Sequence, residues 1–310
     1  MIVTVTLNPA VDISYRLNDF VLNDGNRVTD VSKTAGGKGL NVARVVNQLG
    51  EQVGATGFLG GSLGEFIRRE LKSQQINDLF VEIAGETRNC IAILHNGMQT
   101  EILESGPTIS EAELETFLQR YKQFIEKASI ITISGSLPKG VPNDFYARLI
   151  AIGNEANKCV LLDTGGSMTK AILQEKEKPF LIKPNESEFG DLIGAEKLSK
   201  EEIISSLTDD LLLSRIEWVV VSLGKEGAII KHQKDIYDVT IPTVSAVNPV
   251  GSGDSVIAGF AVALKRKYLP MRAITFGLTM GILNAMEEKT GSINVDRITE
   301  IEKQIIVNKL

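Results

Sequence analysis

The chain has little cysteine, with only Cys90 and Cys159 among its 310 residues. The two positions are far apart, and neither belongs to the paired spacing that zinc sites use. A disulfide-dense scaffold and a cysteine-ligated metal centre are therefore excluded. Two isolated cysteines are typical of reduced thiols in a cytosolic protein.

Long apolar runs and concentrated positive charge are also lacking. No apolar segment approaches the roughly 20 residues that a membrane-spanning helix needs. The opening segment, MIVTVTLNPAVD, has neither the basic nor the apolar region of a secretory signal. The formal net charge is −6 and the basic residues are scattered, so we expect no nucleic-acid partner. We expect a cytoplasmic protein without a membrane partner, in which a local group of cations can still hold a small anion.

The chain does contain a regular alternation of short apolar segments with longer amphipathic ones. Apolar runs typical of strands buried on both faces occur at residues 2–7, 130–134, 159–163, 180–183 and 218–223. Helices are predicted at 40–49, which stops at Gly50, and at 110–128, which opens with a capping-box pattern at Ser110 and Glu113. This alternation predicts an α/β fold with a doubly wound parallel sheet.

Two segments break this alternation. Residues 13–33 and 87–104 have the polar alternation of strands, with no helix between them. The second segment contains Asn96-Gly97 between two β-like runs, which is a strong signal for a hairpin. No repeat or linker-like run occurs. We therefore expect one domain, residues 1–310, in which the two segments form a small β-sheet lid over the edge of the main sheet.

The most informative local motif is NPVGSGD at residues 248–254, followed by a helix-like run. Gly251 and Gly253 permit a tight turn, and the amides and dipole of a helix N-terminus form an anion site. Asp254 is unusual there because a carboxylate repels bound phosphate. It would be useful if it accepted a proton from an attacking hydroxyl. The alternative is an aspartate that only caps the helix.

Two better-known phosphate-binding motifs are absent. The P-loop string G-x-x-x-x-G-K-[ST] does not occur, and the dinucleotide fingerprint G-x-G-x-x-G would need glycine where Val256 stands. A second glycine-rich motif, GGKGLN at residues 36–41, also precedes a predicted helix. Lys38 supplies a charge and Asn41 an amide one turn later, a combination suited to a sugar phosphate. The alternative is a loop that simply turns the chain.

Further polar residues stand near predicted strand and helix ends. Asp12 follows the first strand, at the edge where α/β sheets place ligand contacts. Arg88 begins a lid strand, where a guanidinium can fork onto a phosphate. Asn185 and Glu188 lie three apart where a strand enters a helix, an arrangement that suits hydrated Mg²⁺. Each also has a structural interpretation: a surface aspartate, a solvated edge-strand arginine and a capping box.

Together these motifs resemble those of the ribokinase-like carbohydrate kinases of the PfkB family, over essentially the whole chain. The GGKGLN stretch and the late glycine-loop aspartate match the two family signatures in order. The resemblance implies a ribokinase-like three-layer α/β/α sandwich with a mostly parallel sheet and a small β-sheet lid. It also implies ATP as the phosphoryl donor, Mg²⁺ as cofactor and a homodimer formed through the lid.

The resemblance further implies roles for individual residues. The catalytic base would be Asp254, beside an anion hole formed by Gly251, Ser252 and Gly253. The sugar phosphate would be held by Asp12, Arg27, Gly37, Lys38, Asn41 and Arg88. The ATP site would be lined by Lys183, Asn185, Ser222, Gly224, Gly227 and Asn284. Glu188 would help to place Mg²⁺.

The start TLNPAVD resembles the branch of the family that acts on hexose phosphates. Residues 87–107 and 133–140 resemble the members that phosphorylate the 1-hydroxyl of tagatose 6-phosphate, in lactose and galactose catabolism. A close alternative is phosphorylation of fructose 1-phosphate at position 6. An alternative of another class is a sensor that binds a sugar phosphate without turnover, although binding alone needs no base at Asp254. Many relatives have Asp-Thr where this chain has Asn248-Pro249, so we assign no nucleotide or cation contact to that pair.

Overall fold

The computed structural model describes all residues from Met1 to Leu310, which form two β-sheets and eleven α-helices. The larger sheet contains β1 (Ile2–Thr6), β4 (Val53–Leu59), β5 (Asn77–Asp78), β6 (Val81–Glu82), β9 (Ile130–Ser134), β10 (Cys159–Asp163), β11 (Leu181–Ile182), β12 (Trp218–Ser222), β13 (Ala228–His232), β14 (Asp235–Thr240) and β15 (Ile306–Lys309). The smaller sheet contains β2 (Ala10–Leu17), β3 (Asp30–Gly36), β7 (Arg88–His95) and β8 (Met98–Leu103). The helices are α1 (Lys38–Gln48), α2 (Gly61–Ser73), α3 (Glu111–Glu126), α4 (Phe145–Glu155), α5 (Gly166–Gln174), α6 (Glu186–Ile193), α7 (Lys200–Asp209), α8 (Leu211–Ser214), α9 (Ser252–Lys265), α10 (Pro270–Ala285) and α11 (Ile298–Glu302).

The larger sheet is mostly parallel, as the sequence predicts. Its strand order is β15-β14-β13-β12-β11-β10-β9-β1-β4-β5, with β6 also paired to β4. The strands from β12 to β5 run parallel, and only β13, β14 and β15 pair antiparallel at one edge. Parallel strands bring their carboxyl ends to one edge of the sheet, which is where α/β proteins bind ligands.

Helices cover both faces of this sheet, which gives three layers. Along β1 every residue is buried: Ile2 belongs to one apolar core, while Val3 and Val5 belong to a second core on the opposite face. Successive strand side chains point to opposite faces, so a strand covered on both sides is continuously apolar. The three-layer α/β/α arrangement is therefore confirmed. None of the helices combines the length and the apolar character that crossing a bilayer requires.

Helix boundaries follow the predicted local signals closely. The Ser110 side chain accepts from the amide of Glu113, and the Glu113 carboxylate accepts from the amide of Ser110, so the predicted capping box forms. Helix α1 begins at Lys38, two residues before the predicted start. Its end is followed by Gly50 with φ of 78°, a left-handed conformation that glycine adopts without strain.

The two segments that break the helix–strand alternation form the smaller sheet, ordered β3-β2-β7-β8. β7 and β8 are joined at Asn96 and Gly97, with φ of 48° and 73°, the two positive values of a tight hairpin turn. The strands differ in extent from the predicted segments. β2 begins at Ala10 and β3 continues to Gly36, so this sheet reaches the glycine motif that precedes α1.

Candidate active site

A large cavity lies where the carboxyl ends of the parallel strands meet the smaller sheet. Thr6, Ser134 and Asp163 end β1, β9 and β10 and line it from below, while Asp12 and Arg88 line it from the smaller sheet. Its volume is about 2510 Å³. Pockets for one small molecule usually enclose about 300–1,000 Å³. The cavity therefore has room for two ligands side by side.

Asp254 is a buried carboxylate at the start of α9, and it does not cap that helix. It is 5% exposed, and its Oδ2 accepts a hydrogen bond of 2.7 Å from Nδ2 of Asn41 on α1. Burial, followed by the nearby carboxylate of Asp163, raises the pKa of Asp254 above its ordinary value. A carboxyl with a raised pKa that lines a cavity is suited to accept a proton from a bound hydroxyl.

The turn before α9 depends on Gly251, which has φ of 81° and stands at the N-cap. A side chain there would be strained, and its Cβ would lie 2.4 Å from Cγ2 of Thr290. The residues that follow, Ser252 and Gly253, also line the cavity. The Ser252 amide donates to Pro249 O at 3.2 Å, and the Gly253 amide has no intrahelical acceptor. The predicted anion hole thus lies beside the carboxylate of Asp254.

Two lysines flank a second buried carboxylate next to Asp254. Asp163 is 1% exposed, and both its oxygens lack a hydrogen-bond partner. Its Oδ1 lies 3.4 Å from Nζ of Lys183, and its Oδ2 lies 3.6 Å from Nζ of Lys38. Burial lowers the pKa of Lys38, but the carboxylates of Asp163, Asp254 and Glu188 outweigh burial and raise that pKa above its ordinary value. Two cations therefore lie beside the predicted anion hole.

The predicted nucleotide side of the cavity is built around the start of α6. Asn185 and Glu188 form a capping box, in which Asn185 Oδ1 accepts from the Glu188 amide at 2.8 Å and Glu188 Oε2 accepts from the Asn185 amide at 2.9 Å. The other oxygen of Glu188, Oε1, lies 3.7 Å from Nζ of Lys38. Ser222, Gly224 and Gly227 line the same cavity. Glu188 thus has a structural role at Oε2, while its Oε1 forms an ion pair with Lys38.

The predicted sugar side is formed by Asp12, Gly37 and Arg88, all of which line the cavity. Burial raises the pKa of Asp12 to about 6, although the guanidinium groups of Arg44 and Arg88 oppose this rise. Arg88 donates to the carbonyl oxygens of Glu104 at 2.8 Å and Asn8 at 3.0 Å, while its buried Nε has no partner. An unpaired buried donor is a group that a bound anion would satisfy.

The structure does not bring two of the predicted residues to the cavity. Arg27 is exposed in the loop between β2 and β3 and does not line the cavity. Asn284 is fully buried below the anion-hole turn, where it donates to Val250 O at 2.9 Å and accepts from the Gly291 amide at 2.8 Å. Because its amide is used inside the protein, Asn284 supports the turn and does not contact a nucleotide in this arrangement.

Comparison of the amino-acid sequence with known proteins identifies the family of the chain. The family model described as pfkB family carbohydrate kinase matches residues 5–297. The chain belongs to the pfkB family of carbohydrate kinases. It is 46% identical over 307 residues to tagatose-6-phosphate kinase of Staphylococcus epidermidis, a match that covers 99% of each chain.

Solved structures with the same fold match nearly the whole chain. A structure described as a possible 1-phosphofructokinase from Thermotoga maritima has a TM-score of 0.90 at 26% identity, covering 100% of this chain and 99% of the other. Phosphofructokinase-2 from Escherichia coli in complex with fructose-6-phosphate has a TM-score of 0.86 at 26% identity, covering 97% and 98%. The ribokinase-like fold implied by the motifs is therefore confirmed.

Two site residues of this pfkB-family chain escape the sequence analysis. Asp163 ends β10, so its signal is the one that singled out Asp12: a carboxylate at the carboxyl end of a buried strand. Arg44 donates to Oδ1 of Asn41, but its only signal in the sequence is a spacing of three residues from Asn41 on one helical face. Both residues contact predicted site residues: Asp163 contacts Lys38 and Lys183, and Arg44 contacts Asn41.

Proposed function

We propose that this chain transfers the γ-phosphoryl group of ATP to the 1-hydroxyl of D-tagatose 6-phosphate, giving D-tagatose 1,6-bisphosphate and ADP. The proposal depends on one observation: the carboxylate of Asp254 is buried at the N-terminus of α9 and does not cap that helix. The choice of tagatose 6-phosphate rests on the 46% identity to a tagatose-6-phosphate kinase. The use of ATP favours a cytoplasmic location.

In the proposed reaction Asp254 accepts the proton of the sugar hydroxyl as the oxygen attacks the γ-phosphorus of ATP. A new P–O bond forms to the sugar, the bond between the γ-phosphorus and the bridging oxygen breaks, and ADP leaves with that oxygen. The transition state is loose, so the protein acts mainly by position and charge. The backbone amides of residues 251–253 would stabilise the negatively charged oxygens of the transferring phosphoryl group.

The remaining site residues divide between the two substrates. Lys38 and Lys183 flank Asp163 and adjoin Asp254. We therefore assign Lys183 to the phosphates of the donor, as predicted, and move Lys38 from the predicted sugar side to the donor phosphates and the transferring group. Asn185, Ser222, Gly224 and Gly227 would border the nucleotide. Asp12, Gly37 and Arg88 would hold the sugar phosphate, with Arg88 binding the phosphate that is already present. Asn41, predicted on the sugar side, accepts from Arg44 and donates to Asp254, so we assign it to the base instead.

The residues at the nucleotide side fit Mg²⁺. Asp163 offers two buried oxygens without a hydrogen-bond partner, and Glu188 offers Oε1 beside the same lysine. No group of three or more His, Cys, Asp or Glu residues is placed to hold a metal ion. Mg²⁺ commonly binds through one or two carboxylates together with substrate phosphates, which suits this pair. When bound, the ion would neutralise charge on the phosphates.

We expect Glu188→Gln to raise the Mg²⁺ concentration needed for half-maximal rate, because a neutral amide is a poorer ligand for a hard cation. Thermal stability should hardly change, since glutamine also completes a capping box. The matched control is Glu202→Gln, in another exposed capping box of the chain, formed with Ser199. The measurement is the initial rate against Mg²⁺ concentration. Equal Mg²⁺ dependence in wild type and Glu188→Gln would leave Glu188 with only its capping role.

The experiment that tests the proposed function compares ADP formation with tagatose 6-phosphate, fructose 6-phosphate and fructose 1-phosphate. We expect the highest kcat/KM for tagatose 6-phosphate, with the new phosphate on the 1-hydroxyl. The structural similarity to a possible 1-phosphofructokinase makes fructose 1-phosphate the second candidate, and a clear preference for it would replace our substrate. Binding of these sugars without ADP formation would support a sensor and contradict the kinase.

We also propose that residues 1–310 act as one domain in which the smaller sheet closes over the sugar and pairs with a second copy. The outer strand β8 exposes Met98, Ile102 and Leu103, an apolar edge that a second copy would cover. We expect sugar phosphate to slow amide hydrogen exchange in residues 13–33 and 87–104. Protection of β8 should also rise with protein concentration. Exchange unaffected by ligand contradicts the lid, and exchange unaffected by concentration contradicts the pairing.

A further inference from the structure

Arg44 lies on α1 one turn after Asn41, where its guanidinium joins three segments of the chain. It donates to Ala35 O at the end of β3 at 2.6 Å, to Thr290 O at 3.2 Å and to Oδ1 of Asn41. Its Nε packs closely on Gly291: a Cβ added at residue 291 would lie 3.0 Å from this nitrogen. Burial lowers the pKa of Arg44, while the carboxylates of Asp12, Asp254 and Glu70 oppose that change. No role in the proposed reaction accounts for this partly buried cation.

The contact with Asn41 determines which way the Asn41 amide faces. A guanidinium can only donate hydrogen bonds, so Asn41 must present its oxygen to Arg44. The nitrogen of the same amide then faces Asp254, to which it donates at 2.7 Å. In the opposite orientation the Asn41 oxygen would face the carboxylate of Asp254 and repel it. Arg44 therefore controls a hydrogen bond that it does not itself make.

We propose that Arg44 is a positioning residue for catalysis, which acts through Asn41 to hold the carboxylate of Asp254 in the orientation that accepts the substrate proton. This inference rests on the proposed function, in which Asp254 is the base. The hydrogen bond from Asn41 occupies Oδ2 and leaves Oδ1 for the sugar hydroxyl. The Thr290 contact supports the same geometry, since the next residue, Gly291, is hydrogen-bonded to Asn284 below the anion-hole turn.

The first test is Arg44→Met, which keeps much of the side-chain volume and removes every donor. We expect kcat to fall by about 10²-fold, the scale of a misplaced catalytic group, while the KM for ATP hardly changes. The acidic limb of the pH–rate profile should move to higher pH, because loss of the Asn41 donor favours the protonated form of Asp254. Loss of the Arg44 charge acts in the same direction, and only this direct part of the shift should remain when Arg44→Met is made in the Asn41→Leu background. The other charges near Asp254, those of Asp163, Lys38 and Lys183, are unchanged by this substitution. An unchanged profile with unchanged kcat overturns the proposal.

A double-mutant cycle with Asn41→Leu tests whether Arg44 acts through Asn41. If it does, adding Arg44→Met to Asn41→Leu costs little further rate, because the amide that Arg44 orients is already absent. If the two losses multiply, Arg44 acts by another route and the proposal fails. Arg44→Lys, which keeps the charge without the planar fork, should be intermediate and serves if the methionine variant does not fold.

The matched control is Arg266→Met. Arg266 is more exposed than Arg44, but it also donates to a backbone carbonyl, Leu49 O at 2.7 Å, beyond the other end of α1. The Arg266→Met variant should be less stable than wild type but keep the wild-type pH–rate profile. If its profile shifts as much as that of Arg44→Met, the shift in Arg44→Met reflects general destabilisation.

A readout without turnover separates failure of this inference from failure of the proposed function. The readout is the pH dependence of the Tm difference between Asp254→Asn and its parent, measured with Arg44 and with Arg44→Met. A shift of this dependence to higher pH with Arg44→Met, larger than the shift that the same substitution causes in the Asn41→Leu background, supports the orientation of Asp254 even if no ketohexose phosphate is phosphorylated. No shift overturns the positioning role, whatever the substrate proves to be.

Discussion

Asp254→Asn is expected to lower kcat by roughly 10²–10⁴-fold, the usual contribution of a positioned general base. Asparagine has nearly the same shape and still accepts from Nδ2 of Asn41, so the anion-hole turn should persist. ATP affinity should therefore hardly change. Residual activity is expected because positioning and charge from the lysines remain. The measurement is kcat with tagatose 6-phosphate together with equilibrium binding of ATP, and wild-type turnover in the variant would remove Asp254 from the reaction.

The same substitution should stabilise the protein at neutral and alkaline pH when no substrate is bound. Because the folded-state pKa of Asp254 is raised above the ordinary value of 3.8, the folded protein binds this proton more tightly than the unfolded chain does. Stability from this group is then greatest at low pH, and it falls as pH rises from about 3.8 through the raised value. Asparagine has no such loss, so its Tm should exceed that of wild type at pH 8 and approach it at pH 5.

Asp144→Asn is the matched control for this stability measurement. Asp144 precedes α4, is exposed and makes no side-chain capping hydrogen bond. Its substitution should leave both kcat and the pH dependence of Tm unchanged. If Asp144→Asn and Asp254→Asn raise Tm equally, the gain reflects lower net charge and not relief of a buried carboxylate.

Removing the phosphate from the sugar should cost about 10⁴-fold in kcat/KM. The reason is the environment of Arg88, whose Nε is buried without a partner until an anion arrives. A free sugar leaves that donor unpaired, and sites built around polar groups reject ligands that cannot satisfy them. The measurement is kcat/KM for tagatose and tagatose 6-phosphate side by side. Good activity on the free sugar would contradict a phosphate-reading pocket.

Substituting Arg88 tests which residue carries this discrimination. In Arg88→Met the rate with tagatose 6-phosphate should fall steeply while the rate with tagatose changes little, so the ratio between them shrinks. Arg88→Lys should be intermediate, since an ammonium lacks the planar fork that matches phosphate. Arg148→Met, on the exposed surface of α4, is the matched control and should keep the wild-type ratio. A wild-type ratio in Arg88→Met would assign the phosphate to another cation.

Local features of this protein were determined by the sequence alone. The capping box of Ser110 and Glu113 and the hairpin at Asn96-Gly97 depend only on neighbouring residues, and both form as predicted. The continuous apolar runs at β1, β9 and β10 predicted strands covered on both faces, and hence the parallel sheet. These signals are local because hydrogen bonds within a turn and burial of a short strand leave a direct pattern in the chain.

Which polar residues meet at the cavity was decided only by the tertiary structure. A capping aspartate and a catalytic one give the same sequence pattern, and the contact between Asp254 and Asn41 joins residues 213 positions apart. The same is true of Asp163, which becomes part of the site only because Lys38 and Lys183 converge on it. Asn284 shows the reverse, since its burial under a turn removes it from the nucleotide side. Parallel strands bring distant parts of the chain to one edge, and no local pattern records which side chains meet there.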